Sequence, residues 1–153
     1  MLVTGGAGFI GSNVADQLVA AGHEVAVVDN LSTGRREFVP PQAGFYQYDI
    51  NSPEAADLIR SWRPEALVHH AAQMNVRFSV ADPVADARDN ILGSLNLLQA
   101  SLEGGVNKII FASTGGAIYG DEAPIPARET DAPWPDSPYG IAKLAVEHYL
   151  RYF

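Results

Sequence analysis

Thr4-Gly5-Gly6-Ala7-Gly8-Phe9-Ile10-Gly11 is the stretch from which the fold of this chain is read. Leu2 to Thr4, just before it, has apolar and β-branched residues enough for one short strand. Gly6-x-Gly8-x-x-Gly11 follows at once, and a helix-compatible run begins at Ser12. Strand, glycine turn and helix are the order that a dinucleotide phosphate site requires. The glycines answer separate physical needs. One allows a tight turn, one leaves the backbone bare enough for a pyrophosphate to approach, and one lets helix and strand pack closely. The N–H groups and positive dipole end of the helix would then face the phosphates. A glycine pattern alone is weak evidence, so its weight rests on what lies downstream.

Two features fall where such a site needs them. Glu24 to Val28 reads as a buried second strand, and Asp29 stands at its C-terminal end. An acid about 20 residues after a glycine loop accepts the ribose hydroxyls of adenosine. Its charge would repel a 2′-phosphate, which favours NAD over NADP, although Arg35 and Arg36 lie a few residues on. Further along, Tyr139 and Lys143 are four apart and share one helix face. A free phenol, with a pKa near ~10, is a poor base at neutral pH. A nearby ammonium favours the phenolate and makes it usable as one. Tyr-x-x-x-Lys is common in ordinary amphipathic helices, so this pair draws its meaning from Asp29 and the glycine loop.

Bulk properties narrow the classes. The 153 residues suit one domain with a real core, and 47% apolar against 18% charged residues is a globular balance. A net charge of −8 argues against a nucleic-acid groove or an anionic membrane as the main partner. With no cysteine there are no disulfides, thiolate metal sites or cysteine nucleophiles. No apolar run is long enough to span a bilayer, and the N-terminus lacks the order of a signal peptide. Cytoplasm is the expected location.

Strand-like and helix-like segments alternate. Strands are expected at residues 2–4, 25–28, 45–48, 66–69 and 108–113. Helices are expected at 12–21, 53–62, 84–103 and 138–153. In the long third helix, Ile91, Leu95, Leu98 and Leu102 mark a buried stripe at 3–4 spacing. Gly104-Gly105 provides its stop. Residues 123–138 hold five prolines and read as an ordered loop. The alternation implies a doubly wound parallel sheet with helices on both faces. Both ends look cut, since the first strand has almost nothing before it and the last helix is still running at Phe153. On this reading the α/β sheet is C-terminally incomplete, and residues 108–113 form its edge.

The motifs together resemble the extended short-chain dehydrogenase/reductase family, most closely its NAD-dependent epimerases of nucleotide sugars. The resemblance runs from residue 2 to residue 153. It is carried by the glycine loop, by Val28-Asp-Asn-Leu-Ser-Thr-Gly34 and by Asp49-Ile50. It continues through His69-His-Ala-Ala-Gln73, Asn90-Ile-Leu-Gly-Ser-Leu-Asn-Leu-Leu98 and Phe111-Ala-Ser-Thr-Gly-Gly-Ala-Ile-Tyr-Gly120, and closes with Ser137-Pro-Tyr-Gly-Ile-Ala-Lys143. It implies a Rossmann-type NAD domain over residues 1–153, with a C-terminal substrate domain absent from this chain.

Residue by residue, the resemblance implies that Gly5, Gly8, Phe9, Ile10 and Gly11 hold the pyrophosphate and Asp29 the adenosine ribose. Asn30, Leu31, Ser32, Thr33 and Gly34 would run along the adenosine, with Asp49 and Ile50 flanking the adenine. Ala71, Ala72, Gln73 and Asn90 would line the nicotinamide half. Thr114, Tyr139 and Lys143 would be the catalytic trio, with Tyr139 and Lys143 also touching the cofactor. The implied reaction inverts C4 of a UDP-sugar of the glucose and galactose type. Tyr139, as phenolate, takes the C4 hydroxyl proton while hydride passes from C4 to NAD⁺, and Thr114 holds the same oxygen. Lys143 binds the nicotinamide ribose and lowers the Tyr139 pKa. A homodimer through the helices after Asn90 and around Tyr139 is also implied.

Two departures from the family pattern bear on the chemistry. Dehydratases carry Asp-Glu after the catalytic Thr, where this chain has Gly115 and Gly116. That counts against removal of a sugar hydroxyl. Some epimerases have a Lys near position 74 that touches the phosphates, where this chain has Met74. Two alternatives stay open beside the epimerase: an NAD-binding module without turnover, and a related nucleotide-sugar dehydratase or reductase. The 153 residues alone are expected to lack turnover, because nothing in them would bind the substrate's nucleotide.

Other candidates read plainly. His69 and His70 are adjacent on a strand, point to opposite faces and have no third ligand at metal spacing, so no metal site is expected. His69 is expected to pack at the strand end, and His23 and His148 to lie on the surface. Ser113-Thr114 lacks the Gly-x-Ser-x-Gly surroundings of a serine nucleophile. Arg77, Ser79 and Asp82 would either touch phosphates or cap the next helix, the cap being favoured. Trp62 and Trp134 read as packing residues.

Overall fold

Alternating side chains on a strand point to opposite faces, so a strand apolar at every position needs a helical layer on each side. The central strands meet that condition in a computed structural model that describes residues 1–153. The chain divides into two compact units, Met1–Ala72 with Asn96–Ala112, and Gln73–Leu95 with Ser113–Phe153.

The first unit is a five-stranded parallel sheet. Its strands are β1 (Leu2–Thr4), β2 (Ala26–Val28), β3 (Gly44–Tyr46), β4 (Ala66–His69) and β5 (Lys108–Phe111), in the order β3-β2-β1-β4-β5. Val3 is in register with Val27 on one side and Val68 on the other. Helix α1 (Phe9–Ala20) follows β1, and α2 (Pro53–Trp62) follows β3. Leu2, Ala26, Val28 and Leu67 face one layer, where they pack with Ala55, Ala56 and Ile59 of α2 and with Leu97 and Ala100. Val3, Val27 and Val68 face the other, with Ala7 and with Ala15 of α1. Leu2, Leu67, Leu97 and Ile59 are fully buried, and each such side chain contributes about 1.5–3 kcal/mol relative to exposure. This is the doubly wound, Rossmann-like sheet expected from the strand and helix alternation, with β5 at its edge.

Local chemistry sets the helix ends. Ser52 Oγ accepts from the Ala55 N–H at 3.3 Å, and Pro53 occupies the first helical position of α2. Asn96 Nδ2 donates to Ile50 O at 2.7 Å and Ser52 O at 3.0 Å, which ties the helix that carries it to the turn after β3.

The second unit is helical. It holds α3 (Val76–Ala81), α4 (Pro83–Ala87), a π-helical turn (Arg88–Leu92) and α6 (Pro138–Tyr152), with α3, α4 and the π turn packed on α6. Helix α5 (Gly93–Gly104) starts in this unit and continues into the first. Asn75 caps α3 by accepting from Phe78 N at 3.1 Å, Asp82 caps α4 through Ala85 N at 3.0 Å, and Ser137 caps α6 through Gly140 N at 3.1 Å. The proline-rich loop is tied down by Asp136, whose Oδ2 accepts from Asp121 N at 2.7 Å, and by Asp131, which accepts from Arg128 N at 2.7 Å.

Several boundaries differ from the sequence reading, each for a local reason. Helix α1 begins at Phe9 rather than residue 12, because the glycine loop winds straight into it with Gly8 as its cap. Strand β3 stops at Tyr46, where Tyr48 N turns back to Tyr46 O at 3.0 Å. Strand β5 stops at Phe111 instead of Ser113. The long third helix expected over 84–103 is interrupted by the π turn. That turn takes in an extra residue and shifts the phase of α5 beyond it. The buried set therefore includes Ser94, Leu97, Leu98, Ala100 and Ser101, while Leu102 is 61% exposed. Helix α3 has no counterpart in the sequence reading. No helix is long and apolar enough to cross a membrane.

Candidate cofactor and catalytic site

In the first unit the glycine loop is built by steric necessity. Gly5 has φ +68°, and a Cβ there would lie 2.6 Å from Ala71 N at the end of β4. A Cβ on Gly11 would lie 2.2 Å from Gly5 O, so only glycine lets α1 start against its own loop. Gly8 caps α1 with no side-chain hydrogen bond. The leading N–H groups of α1 are thus offered to an outside acceptor, at the positive end of the helix. Phe9 and Ile10 flank that end and are strongly exposed.

Asp29 is 8% exposed and braces this loop. Its Oδ2 accepts from Ala7 N at 3.0 Å and its Oδ1 from Leu31 N at 2.8 Å. Each carboxylate oxygen keeps a second lone pair, which leaves capacity for ribose hydroxyls. The 30–35 segment folds back on the loop, since Arg35 N donates to Ala7 O at 2.9 Å and Gly34 lies against Ala7. Within it Leu31 takes φ +60°, and Ser32 N donates to Asn30 Oδ1 at 2.9 Å, leaving Ser32 and Thr33 exposed. Asn30 Nδ2 reaches Asp49 Oδ2 at 2.8 Å. Burial would raise the Asp49 pKa, but hydrogen bonds from the Asn51 N–H and the Asn30 and Asn51 amides outweigh it and hold the carboxyl below its usual value. Ile50 is core, packed with Leu2 and Ile59. Ala71 N donates to Thr4 Oγ1 at 3.4 Å, and Thr4 Oγ1 pairs with His69 Nδ1 at 2.7 Å, so His69 is a packed strand-end residue as expected. A bare glycine turn, an uncapped helix end and a carboxylate at the rim fit a dinucleotide.

The second unit holds the other half of the candidate set. Gln73 and Asn90 are locked together, Gln73 N donating to Asn90 Oδ1 at 3.0 Å and Asn90 Nδ2 to Gln73 O at 2.8 Å. Both also donate to Asp86 Oδ1, from Gln73 Nε2 and Asn90 Nδ2, each at 2.9 Å. Asp86 is 1% exposed, and the sequence reading missed it. It lies among Asp82 and Asp89 in a run that reads as a solvated helix face, and only packing reveals it as buried.

On α6, Tyr139 and Lys143 share a face as their spacing requires, with Lys143 Nζ 5.9 Å from the Tyr139 ring centroid. Lys143 is buried, and burial lowers its pKa to about 8 against the opposing pull of Asp86. The expectation that Lys143 lowers the Tyr139 pKa is corrected here. Tyr139 stands above its ordinary value, raised by burial and then by the negative charge of Asp86. The position of α6 is set by Ser79, which accepts from Tyr139 N at 3.2 Å. Ser79 is therefore a docking residue, and Asp82 a cap.

Thr114 belongs to the same unit and makes no hydrogen bond to Tyr139; its Oγ1 accepts from Ala117 N at 3.3 Å. Beside it lies an open cleft of about 500 Å³, lined in part by Ser113, Thr114, Glu129, Asp131, Glu147 and Arg151. Ser113 Oγ donates to Glu147 Oε1 at 2.5 Å. Gly115 and Gly116 have open space around their Cα atoms and bring no acid to Thr114.

Known proteins share this fold over nearly the whole chain. The profile of the NAD dependent epimerase/dehydratase family matches residues 1–153. The crystal structure of UDP-glucose 4-epimerase from Thermotoga maritima, with UDP-glucose, is 52% identical, with a TM-score of 0.95 over 99% of this chain and 50% of that one. UDP-glucose 4-epimerase from Thermus thermophilus, in complex with NAD, is 51% identical, with a TM-score of 0.92 over 99% of this chain and 49% of that one. UDP-glucose 4-epimerase from Mycolicibacterium smegmatis is 40% identical over 157 residues, covering 99% of this chain and 50% of the relative. The chain spans about half the length of the curated relatives it matches. By its profile, its sheet and its glycine loop, this chain belongs to the NAD dependent epimerase/dehydratase family.

Proposed function

We propose that the chain supplies the NAD site and the proton-transfer residues of a nucleotide-sugar 4-epimerase acting on UDP-glucose and UDP-galactose. The single observation that carries this is the Tyr139–Lys143 pair, held at one end of α6 with Lys143 buried and the ammonium beside the ring. A helix that merely packs has no reason to bury a lysine. The 51% identity to an enzyme crystallised with NAD, and the 52% identity to one crystallised with UDP-glucose, support the same reading.

In this reading Gly5, Gly8, Phe9, Ile10 and Gly11 hold the pyrophosphate, and Asp29 holds the adenosine ribose. Asn30 to Gly34, Asp49 and Ile50 border the adenosine; Ala71, Ala72, Gln73 and Asn90 border the nicotinamide. Bound NAD⁺ supplies the hydride acceptor and later the donor at C4. Tyr139 takes the C4 hydroxyl proton and returns it, Thr114 orients that oxygen, and Lys143 supplies positive charge at the cofactor ribose. Gly115 and Gly116 leave no acid to expel a hydroxyl, which favours epimerisation over dehydration.

A second reading, NAD binding without turnover, draws on the Tyr139 pKa. A phenol raised above its ordinary value is no base at neutral pH until a further positive charge stands beside it. Calorimetry with NAD⁺, NADP⁺ and the Asp29→Ala variant tests the shared part of both readings. NAD⁺ binding is expected, with NADP⁺ weaker and the variant at least about tenfold weaker, the cost of losing hydrogen bonds to a charged group. Failure of the folded chain to bind NAD⁺ would overturn both. UDP-galactose conversion that Tyr139→Phe abolishes favours the epimerase, whereas NAD⁺ binding without conversion once the 153 residues are joined to the C-terminal half of a UDP-glucose 4-epimerase relative favours the second reading.

A further inference from the structure

The buried end of the second unit holds a carboxylate with one oxygen satisfied and one bare. Asp86 Oδ1 takes two hydrogen bonds, from Gln73 and Asn90 at 2.9 Å each, while Asp86 Oδ2 is buried with no hydrogen-bond partner. The two donors are fixed by their own mutual bonds, so the carboxylate cannot swing away to solvate itself. A buried carboxylate left this way is costly unless a cation lies close. Helix α4, which carries Asp86, packs on α6, which carries the buried Lys143. Of the other charged residues on α3, α4 and the π turn, Arg77, Asp82 and Arg88 are exposed and Asp89 is half-buried. On α6, the ionisable group beside Lys143 is Tyr139, with Glu147, His148 and Arg151 further along the helix.

We propose that Asp86 is the counter-ion of Lys143, a positioning residue that keeps the buried lysine protonated and aimed at Tyr139. Its functional meaning rests on the epimerase reading, but the charge coupling does not. Burial works against the ammonium, and the negative charge of Asp86 opposes it. The influence is mutual, since Lys143 in turn favours the ionised form of Asp86, whose pKa burial has raised. The same carboxylate repels a phenolate at Tyr139. Asp86 thus holds the pair as ammonium and phenol until substrate and cofactor arrive.

The chain has only two lysines, Lys108 and Lys143, so a ¹³Cε-lysine label gives one signal from each, with exposed Lys108 as internal reference. In the wild-type chain Lys143 is expected to titrate near 8. In Asp86→Asn it is expected to titrate lower still, with Lys108 unmoved. An unchanged Lys143 titration in a folded Asp86→Asn chain would overturn the proposal. If that variant does not fold, the reciprocal one decides. In Lys143→Met the Asp86 carboxyl, followed by ¹³Cγ-aspartate, is expected to titrate at higher pH than in the wild type, and no movement would overturn the proposal. Both titrations run without NAD⁺ or sugar, so they stand or fall apart from the epimerase reading, which the calorimetry addresses.

Discussion

Gly11 has no room for a methyl group. A Cβ there would sit 2.2 Å from Gly5 O and 2.8 Å from Gly5 C, both backbone atoms of a loop that Asp29 and Val28 already hold. No flexible side chain can give way, so Gly11→Ala must shift the loop or the start of α1. The expected cost is about 1–3 kcal/mol, read as a lower urea midpoint at unchanged slope. An unaltered midpoint would show that the loop yields freely. The requirement for glycine was legible in the sequence, because the pattern names it. The role of Asp29 was legible only in part, since its bonds to Ala7 and Leu31 depend on how the two loops meet. Asp86 was not legible, because nothing in Val84-Ala85-Asp86-Ala87 separates a buried acid from a solvated one.

Helix α6 shows what a single cap contributes to an element. Ser137 Oγ accepts the Gly140 N–H, Pro138 presets the first turn, and Gly140 lets the helix lie against Ala117 O, 2.4 Å from where a Cβ would be. Tyr139 is in that first turn, so the cap also fixes the phenol. Ser137→Ala is expected to cost about 1 kcal/mol and to speed amide exchange at residues 140–143 above other helices. Equal exchange in variant and wild type would remove the cap from the account. The π turn is an element that sequence spacing hides. Hydrophobic spacing marks residues 84–103 as one helix, and such a pattern carries no sign of the extra residue taken in at Arg88–Leu92. The hydrogen bonds between Asn90 and Gln73 that accompany the turn are tertiary, while those from Asn90 Nδ2 to Asp86 Oδ1 and from Ser94 Oγ to Asn90 O are local.

Across the molecule as a whole, the buried lysine ties stability to pH. The Lys143 pKa falls from its ordinary 10.5 to about 8 on folding. Between those values the unfolded chain binds a proton that the folded chain does not, so stability rises with pH across that window. Below pH 8 both states hold the proton, and the folded state bears the full cost of burying it. Denaturation of wild type and Lys143→Met at pH 8 and pH 10 should therefore show the wild type gaining about 2 kcal/mol relative to the variant. No gain, or a loss, would mean that Lys143 is solvated. Other groups that titrate near this window, the Met1 amino group among them, are common to wild type and variant and cancel in the comparison.

Short-range rules suffice for the sheet, the glycine loop, the Asp29 carboxylate and the shared face of Tyr139 and Lys143, and all of these could be read from the order of residues. The rules are side-chain alternation on strands, missing Cβ atoms in a tight turn, and 3.6-residue spacing on a helix. Which polar groups are buried, and what charge they bear, was settled only when the chain packed on itself. Asp86 acting on Lys143, Asn90 locked to Gln73, and Tyr139 raised rather than lowered all arise where distant segments exclude water from one another. Desolvation is a property of packed neighbours, and a residue's own place in the chain does not encode it.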